Sequence, residues 1–387
     1  MGRFKTWRPN SNCCKWQLVR CNARSPSREV TYLNLSSISK YDGSVSVSFR
    51  ILKPILRIIS LVTLDISYNF IEGEIPGDAF VNLTRLISLD MSYNLFNSTI
   101  PPKLFSLKTL RYLNLRWSGF EGEIPGDTFV NLTSLISLDM SSNLFNGSIP
   151  PKLFSLKNLQ YLNLSWSGFE GEIPGDTFVN LTSLISLDMS SNLFNGSIPP
   201  KLFSLKTLQY LNLGWSGFEG QIPGDTFVNL TSLISLDMSS NFFNGSISPK
   251  LFSLKNLQYL NLSLSGLEGE IPGDAFVNLT SLISLDMSYN GFQGSIPPKL
   301  LFYLKNLQYL NLRWSGFEGE IPGDTFVNLP RLISLDMSSN FFNGSISPKL
   351  FSLKNLQYLS ISYLKLDWFR RRGSWRCVCE LATVDFS

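Results

Sequence analysis

A 49-residue unit recurs almost unchanged through most of this 387-residue chain. Its period is marked by aspartates 49 residues apart, with a last step of 50: Asp90, Asp139, Asp188, Asp237, Asp286 and Asp336. Each unit divides into 24 residues, from Leu83 to Leu107, and 25 residues, from Leu107 to Leu132. Periods of this length are typical of proteins built by stacking one structural repeat on the next.

Each half-unit follows the pattern L-x-x-L-x-x-L-x-L-x-x-(N/S)-x-(F/L)-x-G-x-I-P. In a segment such as Leu162-x-Leu164, alternate residues of a short strand point inward. One coil cannot bury its apolar side chains alone, but stacked coils can. The pattern therefore predicts an α/β repeat solenoid of about fourteen coils, a superhelix with a parallel β-sheet on its concave face and short helical turns or loops on its convex face.

The residue three places after the second inward residue alternates between asparagine and serine. Asparagines such as Asn143 and Asn192 are predicted to bond turn peptide groups of adjacent coils, whereas a hydroxyl, as in Ser118, has only one hydrogen to donate. The ladder should therefore be weaker at every second rung. Asp176, just before Thr177, is predicted to cap a short helical turn.

These motifs resemble those of a known family. The L-x-G-x-I-P segment of the coils is similar to the plant-specific leucine-rich repeat of extracellular receptor-like proteins and receptor kinases. The segment Trp7, Cys13-Cys14-x-Trp16 and Cys21, followed by Val30 to Leu35, resembles the end of that family's N-terminal cap. The resemblance implies a disulfide between Cys14 and Cys21, and a partner for Cys13 upstream of this sequence.

Three regions are predicted: a truncated N-terminal cap over 1–32, the repeat array over 33–362 and an irregular basic tail over 363–387. The tail contains Cys377 and Cys379, for which free thiols are favoured because a bond between residues so close would be strained. Family members begin with a signal peptide, and many end in a membrane helix. Neither is visible here, so we expect an incomplete product whose surface location rests on resemblance.

Composition argues against catalysis and against nucleic-acid binding. The chain has no histidine, which removes the commonest general base and metal ligand. The recurring Glu170-Gly171-Glu172 with Asp176 could form a paired-carboxylate site, but a solvated loop after the strand is the favoured interpretation. Residues 58–362 have 17 Lys and Arg against 24 Asp and Glu, the wrong sign for phosphate binding. We therefore expect no enzyme activity, no cofactor and no metal.

Sequons for N-glycosylation favour a secreted glycoprotein. The expected sites are Asn82, Asn131, Asn146, Asn180, Asn195, Asn229, Asn244, Asn278 and Asn343. Those in the Val-Asn-Leu-Thr segments are predicted on the convex side. Asn163 and Asn261 fall on predicted strands, where a glycan would interrupt the concave surface.

The concave face is the expected ligand-binding surface. Its candidate residues are Tyr112, Arg116, Trp117, Tyr161, Trp166, Tyr210, Trp215, Tyr259, Tyr309, Arg313 and Trp314. Exposed rings are frequent at binding hot spots, but they could equally pack against one another between coils. Residues 132–180 and 181–229 differ at three positions only, so either the ligand is itself repetitive or a recent duplication has not diversified.

We interpret the chain as a non-catalytic recognition module, like the ectodomain of a plant receptor-like protein in defence or developmental signalling. The expected ligand is a peptide, a protein or a wall polysaccharide, and the resemblance implies a partner receptor kinase. The alternatives are a secreted inhibitor of pathogen enzymes that degrade the cell wall, and a non-functional gene fragment.

Overall fold

The computed structural model describes residues 5–38, 46–272, 275–343, 346–362 and 384–385. The chain divides into two compact units, residues 1–193 and 194–387. The predicted basic tail, with Cys377 and Cys379, lies outside the described residues except for 384–385.

Parallel strands stack side by side in the described part of the first unit. They are Val30–Asn34, Thr63–Asp65, Ser88–Asp90, Tyr112–Asn114, Ser137–Asp139, Tyr161–Asn163 and Ser186–Asp188. Their register is uniform: the central leucine of each strand lies opposite the central leucine of its neighbour, as Leu162 lies opposite Leu138 and Leu187. The strand Val19–Cys21 pairs antiparallel with the first of them.

The second unit repeats this arrangement. Its described parallel strands are Tyr210–Asn212, Ser235–Asp237, Tyr259–Asn261, Ser284–Asp286, Tyr309–Asn311, Ser334–Asp336 and Tyr358–Ser360. The strand Val384–Asp385 pairs antiparallel with the last. The predicted fold class, a leucine-rich repeat solenoid, is confirmed, and the described strands match the expected count of about fourteen coils.

Leucines and phenylalanines form the core of each unit. Leu132, Leu135 and Leu138 are almost completely buried, and burial of one such side chain contributes roughly 1.5–3 kcal/mol. Phenylalanines of successive coils contact one another: the ring centroids of Phe154 and Phe178 lie 4.7 Å apart. The inward repeat positions predicted from the pattern therefore fill the space between the sheet and the helical turns.

Short helical segments lie between the strands. In the first unit they are 3-10 helices: Cys13–Lys15, Phe49–Leu52, Ile55–Arg57, Pro102–Ser106, Thr128–Asn131, Pro151–Ser155 and Thr177–Asn180. In the second unit they are Pro200–Ser204, Gly224–Asn229, Pro249–Ser253, Ala275–Asn278, the α-helix Pro298–Tyr303, Gly323–Asn328 and Pro348–Ser352.

The prediction that Asp176 caps the helical turn at Thr177–Asn180 is wrong. The turn is present, but Asp176 makes no capping bond because its backbone, at φ −98° and ψ 7°, is outside the extended region that a capping residue adopts. The Thr177 hydroxyl instead donates to the main-chain oxygen of Pro174, over 2.8 Å.

A second set of short strands follows the main-sheet strands. They are Val47–Ser48, Ile71–Glu72, Glu121–Gly122, Leu144–Phe145, Glu170–Gly171, Leu193–Phe194, Glu219–Gly220, Phe242–Phe243, Glu268–Glu270, Gly291–Gln293, Glu318–Glu320 and Phe341–Asn343. The segment Glu170-Gly171 is therefore a short strand and not a simple loop. It is a strand because it pairs with the adjoining coil. The equivalent segment of another coil, Glu121–Gly122, pairs in the same way, in parallel with Leu144–Phe145.

Candidate ligand-binding face

In each unit, the outward side chains of the main-sheet strands and of the turns that follow them form a surface that we call the sheet face. On each strand the leucines point into the core, so the residues between and beside them point outward. On the strand Tyr161–Asn163, Leu162 is buried, whereas Tyr161 is exposed and Asn163 is half-buried. The sheet face therefore carries the residues predicted to bind ligand, in columns that cross the strands.

In each unit one column alternates between tyrosine and serine, from Ser88 to Ser186 in the first unit and from Tyr210 to Tyr358 in the second. Tyr161 lies opposite Ser137 and Ser186, and Tyr259 lies opposite Ser235 and Ser284. Its tyrosines have nearly equal exposed fractions, 46–47%: Tyr112, Tyr161, Tyr210, Tyr259 and Tyr309. Two strand spacings of ~4.8 Å exceed the roughly 4.5–7 Å at which rings pair. Serines thus separate successive rings, and ring-to-ring packing does not account for this column.

A second column, which we call the turn column, lies in the turns that follow the strands. It contains the other predicted aromatic residues, Trp117, Trp166, Trp215 and Trp314, with exposed fractions of 56–69%. Their backbone φ angles lie between 48° and 55°, a left-handed conformation that residues other than glycine rarely adopt. Ser142 and Ser191 adopt it at the same repeat position, so this geometry belongs to the coil and not to the tryptophans.

At one end of this column, the packing interpretation holds. The rings of Tyr68 and Tyr93 stack at 4.1 Å, and Tyr93 lies parallel to Trp117 at 6.2 Å. The Arg116 guanidinium lies 5.9 Å from the Tyr93 ring. A side-chain hydrogen bond with Tyr93 raises the pKa of Tyr68. Sequence reasoning missed Tyr68 and Tyr93. Both directly precede the repeat asparagine, at the position that Ser142 occupies before Asn143.

Arg313 takes the corresponding position in the second unit. Its guanidinium carbon lies 5.9 Å from the centre of the Tyr289 ring. Arg116 and Arg313 therefore each lie over a tyrosine of the turn column, within the distance at which a cation is attracted to an aromatic face.

The third column, between the leucines, consists mainly of aspartates and asparagines, which alternate from Asp90 to Asp188 in the first unit and from Asn212 to Asp336 in the second. Asp237 Oδ1 accepts hydrogen bonds from the main-chain N–H of Ser239, over 2.9 Å, and from its hydroxyl, over 2.6 Å. Asp237 Oδ2 accepts from the amide of Asn261, over 3.0 Å. These bonds hold the polar groups in a fixed order on the sheet face. They also occupy the side-chain amide of Asn261, which is the nitrogen to which an N-linked glycan would be attached.

The sites expected to be glycosylated lie off this face. The side chains of Asn82, Asn131, Asn146, Asn180, Asn195, Asn244, Asn278 and Asn343 are exposed. Asn229 is half-buried, and its amide donates to the Thr226 main-chain oxygen over 3.2 Å. Glycans at the exposed positions would leave the sheet face open, so glycosylation stays a prediction consistent with ligand binding there.

The N-terminal segment is held by a disulfide. Cys14 and Cys21 are bonded, the pairing that the family resemblance implies, and Cys13 is a free thiol. The rings of Trp7 and Trp16 stack at 4.9 Å, and the Trp7 indole N–H donates to the Gln17 main-chain oxygen over 2.8 Å. These contacts join residues 7–17 to one another and, through the disulfide, to the strand Val19–Cys21 of the cap.

A further exposed apolar set was not anticipated. Leu144, Leu193 and Phe242 lie in the short second strands with exposed fractions of 66–73%. Glu121 lies opposite Leu144, and Glu219 lies opposite Phe242. A sequence signal for this set exists. The residue directly after each of these buried asparagines is apolar, although the alternation along the short strand turns its side chain outward.

Comparisons with known proteins agree with this architecture. The leucine rich repeat family model matches residues 59–120 and 231–292, and the model for the BspA type leucine rich repeat region matches residues 98–217. Receptor-like protein 46 of Arabidopsis thaliana is 69% identical over 102 residues, which are 26% of this chain and 12% of that protein. Receptor-like protein 32 of the same plant is 37% identical over 75 residues, 19% of this chain and 8% of that protein.

Solved structures extend the similarity to nearly the whole chain. The ectodomain of the Arabidopsis thaliana receptor kinase GASSHO1/SCHENGEN3, in complex with CASPARIAN STRIP INTEGRITY FACTOR 2, gives a TM-score of 0.86 at 34% identity and covers 94% of this chain. The PEPR1–AtPEP1 structure gives 0.84 at 31% identity, with the same coverage. The chain spans 42% and 49% of the chains in these two structures and 12% or less of the receptor-like proteins above.

These findings define the protein class as a leucine-rich repeat protein. The two leucine-rich repeat models together match more than half of the chain, which therefore belongs to the leucine-rich repeat proteins and is similar to plant receptor-like proteins and receptor ectodomains. Within the described residues, no helix is both long enough and apolar enough to cross a membrane.

Proposed function

We propose that this chain is the ligand-recognition part of a plant cell-surface receptor-like protein in defence or developmental signalling, and that it binds its ligand on the sheet face without catalysing a reaction. One observation carries the proposal. Tyr161, on a hydrogen-bonded strand, and Trp166, in the turn that follows this strand, are both exposed, although burying them would be favourable. Aromatic rings on a rigid support offer a large contact area at a low entropy cost.

The similar structures support a peptide or protein as one class of ligand. GASSHO1/SCHENGEN3 is in complex with CASPARIAN STRIP INTEGRITY FACTOR 2, and HAESA is in complex with the peptide hormone IDA and the co-receptor SERK1. The chain resembles HAESA at 28% identity, with a TM-score of 0.62. We therefore include a partner receptor kinase in the proposal, and an extracellular or membrane-surface location.

A paired-variant experiment tests the proposed face. The chain, produced as a secreted protein, is applied to peptide and glycan arrays, and binding to each hit is then measured for the wild type and for the double variant Tyr161→Ala/Trp166→Ala. Leu144→Ala is the matched control, because Leu144 is about as exposed as Trp166 but lies in one of the short two-stranded sheets.

We expect the double variant to weaken binding by roughly 2 kcal/mol or more, as for hot-spot rings, and the control to bind normally. A ligand that binds the double variant with full affinity, and loses affinity only in the control, would move the site to the short second strands.

A further inference from the structure

We infer that the sheet face of the second unit binds a neutral, extended β-1,4-linked hexopyranose chain lying across the strands, with every second sugar stacked on a tyrosine. The inference rests on the proposed function and names the ligand class for the same face. It starts from the tyrosine column of this unit, whose rings are Tyr210, Tyr259, Tyr309 and Tyr358.

The spacing of the rings sets the repeat of the ligand. Tyr259 and Tyr309 are on alternate strands, and Ser284 on the strand between them lies opposite both. Two strand spacings make roughly 10 Å. This is close to the length of one disaccharide in an extended β-1,4-linked chain. In a two-fold ribbon each sugar is turned over relative to the last, so every second sugar presents the same face.

Such a ribbon fits the chemistry of the column. The C–H groups on one face of a hexopyranose are apolar and pack on an aromatic ring, and the tyrosine rings are about half exposed. The sugars between them would meet serines such as Ser284 and Ser334. The next column offers ordered acceptors and donors, because Asn311 donates to Asp286 over 2.9 Å and Asp286 also binds the Ser288 hydroxyl. Carbohydrate hydroxyl groups pair with such groups.

The charge of the face selects a neutral chain. Among the outward strand residues of the second unit, Asp237, Asp286 and Asp336 carry negative charge. Arg313 follows one strand, and its guanidinium lies over the Tyr289 ring. An acidic face repels polygalacturonate and other anionic polymers. Neutral glucans, mannans and N-acetylated glucosamine polymers remain.

The near identity of successive coils also favours a repetitive ligand. Along the second unit, tyrosine and serine alternate without exception over its seven described parallel strands. A peptide of irregular sequence gains from a surface that differs at each position, whereas a polymer gains from a surface that repeats in its own register. Every register of a long chain is then equivalent, and affinity should rise with chain length.

Binding of defined hexasaccharides to the full chain tests the inference. Calorimetric titrations would use cellohexaose and chitohexaose, which form two-fold ribbons and represent plant-wall and fungal-wall sources, and xylohexaose, which prefers a three-fold twist. An oligogalacturonide is the charged comparison. We expect one of the two-fold hexasaccharides to bind at least about tenfold more tightly than xylohexaose, with affinity rising from disaccharide to hexasaccharide. Absence of binding by both two-fold hexasaccharides would overturn the inference.

Variants of the tyrosine column locate the binding. The triple variant Tyr210→Ala/Tyr259→Ala/Tyr309→Ala should weaken hexasaccharide binding about tenfold or more, and the corresponding triple change to phenylalanine should keep most of it because the rings remain. Phe242→Ala is the control, an exposed ring in one of the short two-stranded sheets. Melting temperatures establish that each variant is folded, and single Tyr259→Ala replaces the triple variant if that does not fold. Unchanged affinity in a folded alanine variant contradicts the inference.

The result also separates this inference from the proposed function. If an array peptide binds and depends on Tyr161 and Trp166 while neither hexasaccharide binds, the ligand class is wrong and the proposed face stands. If no ligand depends on any sheet-face residue, both proposals fail.

Discussion

The side-chain amide of Asn143 donates a hydrogen bond to the main-chain oxygen of Leu115 in the preceding coil, over 2.8 Å. The same amide reaches the main-chain oxygens of Met140 and Ser141. Its Oδ1 accepts the main-chain N–H groups of Ser118 and Phe120, over 3.2 and 3.1 Å. One buried side chain thus satisfies turn peptide groups of two coils, which ties the coils together.

Serine at the equivalent position does less. The Ser118 hydroxyl approaches the main-chain oxygens of Met91 and Arg116, at 2.8 and 3.1 Å, and has one hydrogen for both. The predicted weaker rung at every second coil is therefore visible as fewer bonds in the structure.

Asn143→Ala should destabilise the chain more than Ser118→Ala. The asparagine variant leaves several buried peptide groups without a partner, each costing about 1–3 kcal/mol, so we expect a loss of roughly 3 kcal/mol or more. The serine variant should lose about 1 kcal/mol. Urea denaturation midpoints measure both. Equal losses would show that water replaces the asparagine amide.

The sequence predicts the features that repeat in every coil. The strand at Ser186–Asp188, the burial of Leu187 and the ladder of Asn143 all follow from one period, because stacking forces the same position into the same environment. The tyrosine column follows from strand alternation for the same reason.

Features that depend on one backbone angle or on differences between coils could not be predicted. The absence of a cap at Asp176 follows from its local φ and ψ. The stack of Tyr68 on Tyr93 arises because two neighbouring coils both carry a ring where others carry serine. The strand at Glu170–Gly171 depends on pairing between coils, which a single coil does not encode.

Inward leucines should matter far more than surface carboxylates. Leu187 is 1% exposed, so Leu187→Ala should leave a cavity and cost about 2–5 kcal/mol. Glu172→Gln should cost under about 0.5 kcal/mol, because Glu172 is exposed and the next equivalent coil carries Gln221. The denaturation midpoints of the two variants measure this difference. Similar losses of stability in both would mean that Leu187 does not point into the core.

Gly168 should not tolerate a side chain. Its φ is 76°, and a Cβ atom there would lie 2.4 Å from the main-chain oxygen of Phe145. Gly168→Ala should therefore destabilise the chain by roughly 2 kcal/mol or more, through strain and displacement of the adjacent coil. Gly175→Ala is the matched control, since nothing lies within 4 Å of its Cβ position. A control variant as unstable as Gly168→Ala would count against steric crowding as the cause.

The cysteines of the cap can be checked chemically. Peptides alkylated before reduction should carry the label on Cys13, whereas Cys14 and Cys21 should become accessible only after reduction. Mass spectrometry of the peptides reads the pattern. Recovery of a peptide linked through Cys13 and Cys21 would replace the assigned pairing.

Two rings of the turn column should have different roles: Tyr93 should contribute to stability and Trp166 to ligand binding. The Tyr93 ring stacks on Tyr68, so Tyr93→Ala should lower the free energy of unfolding by about 0.5–1.5 kcal/mol beyond the loss of buried area. Trp166 is 69% exposed and is flanked in its column by Ser142 and Ser191. Trp166→Ala should therefore change stability by under about 0.5 kcal/mol while weakening binding of whichever ligand the arrays identify. Thermal melting and affinity measured on the same preparations test both halves. A Trp166→Ala protein that melts earlier yet binds normally would make the ring a packing element and remove it from the candidate site.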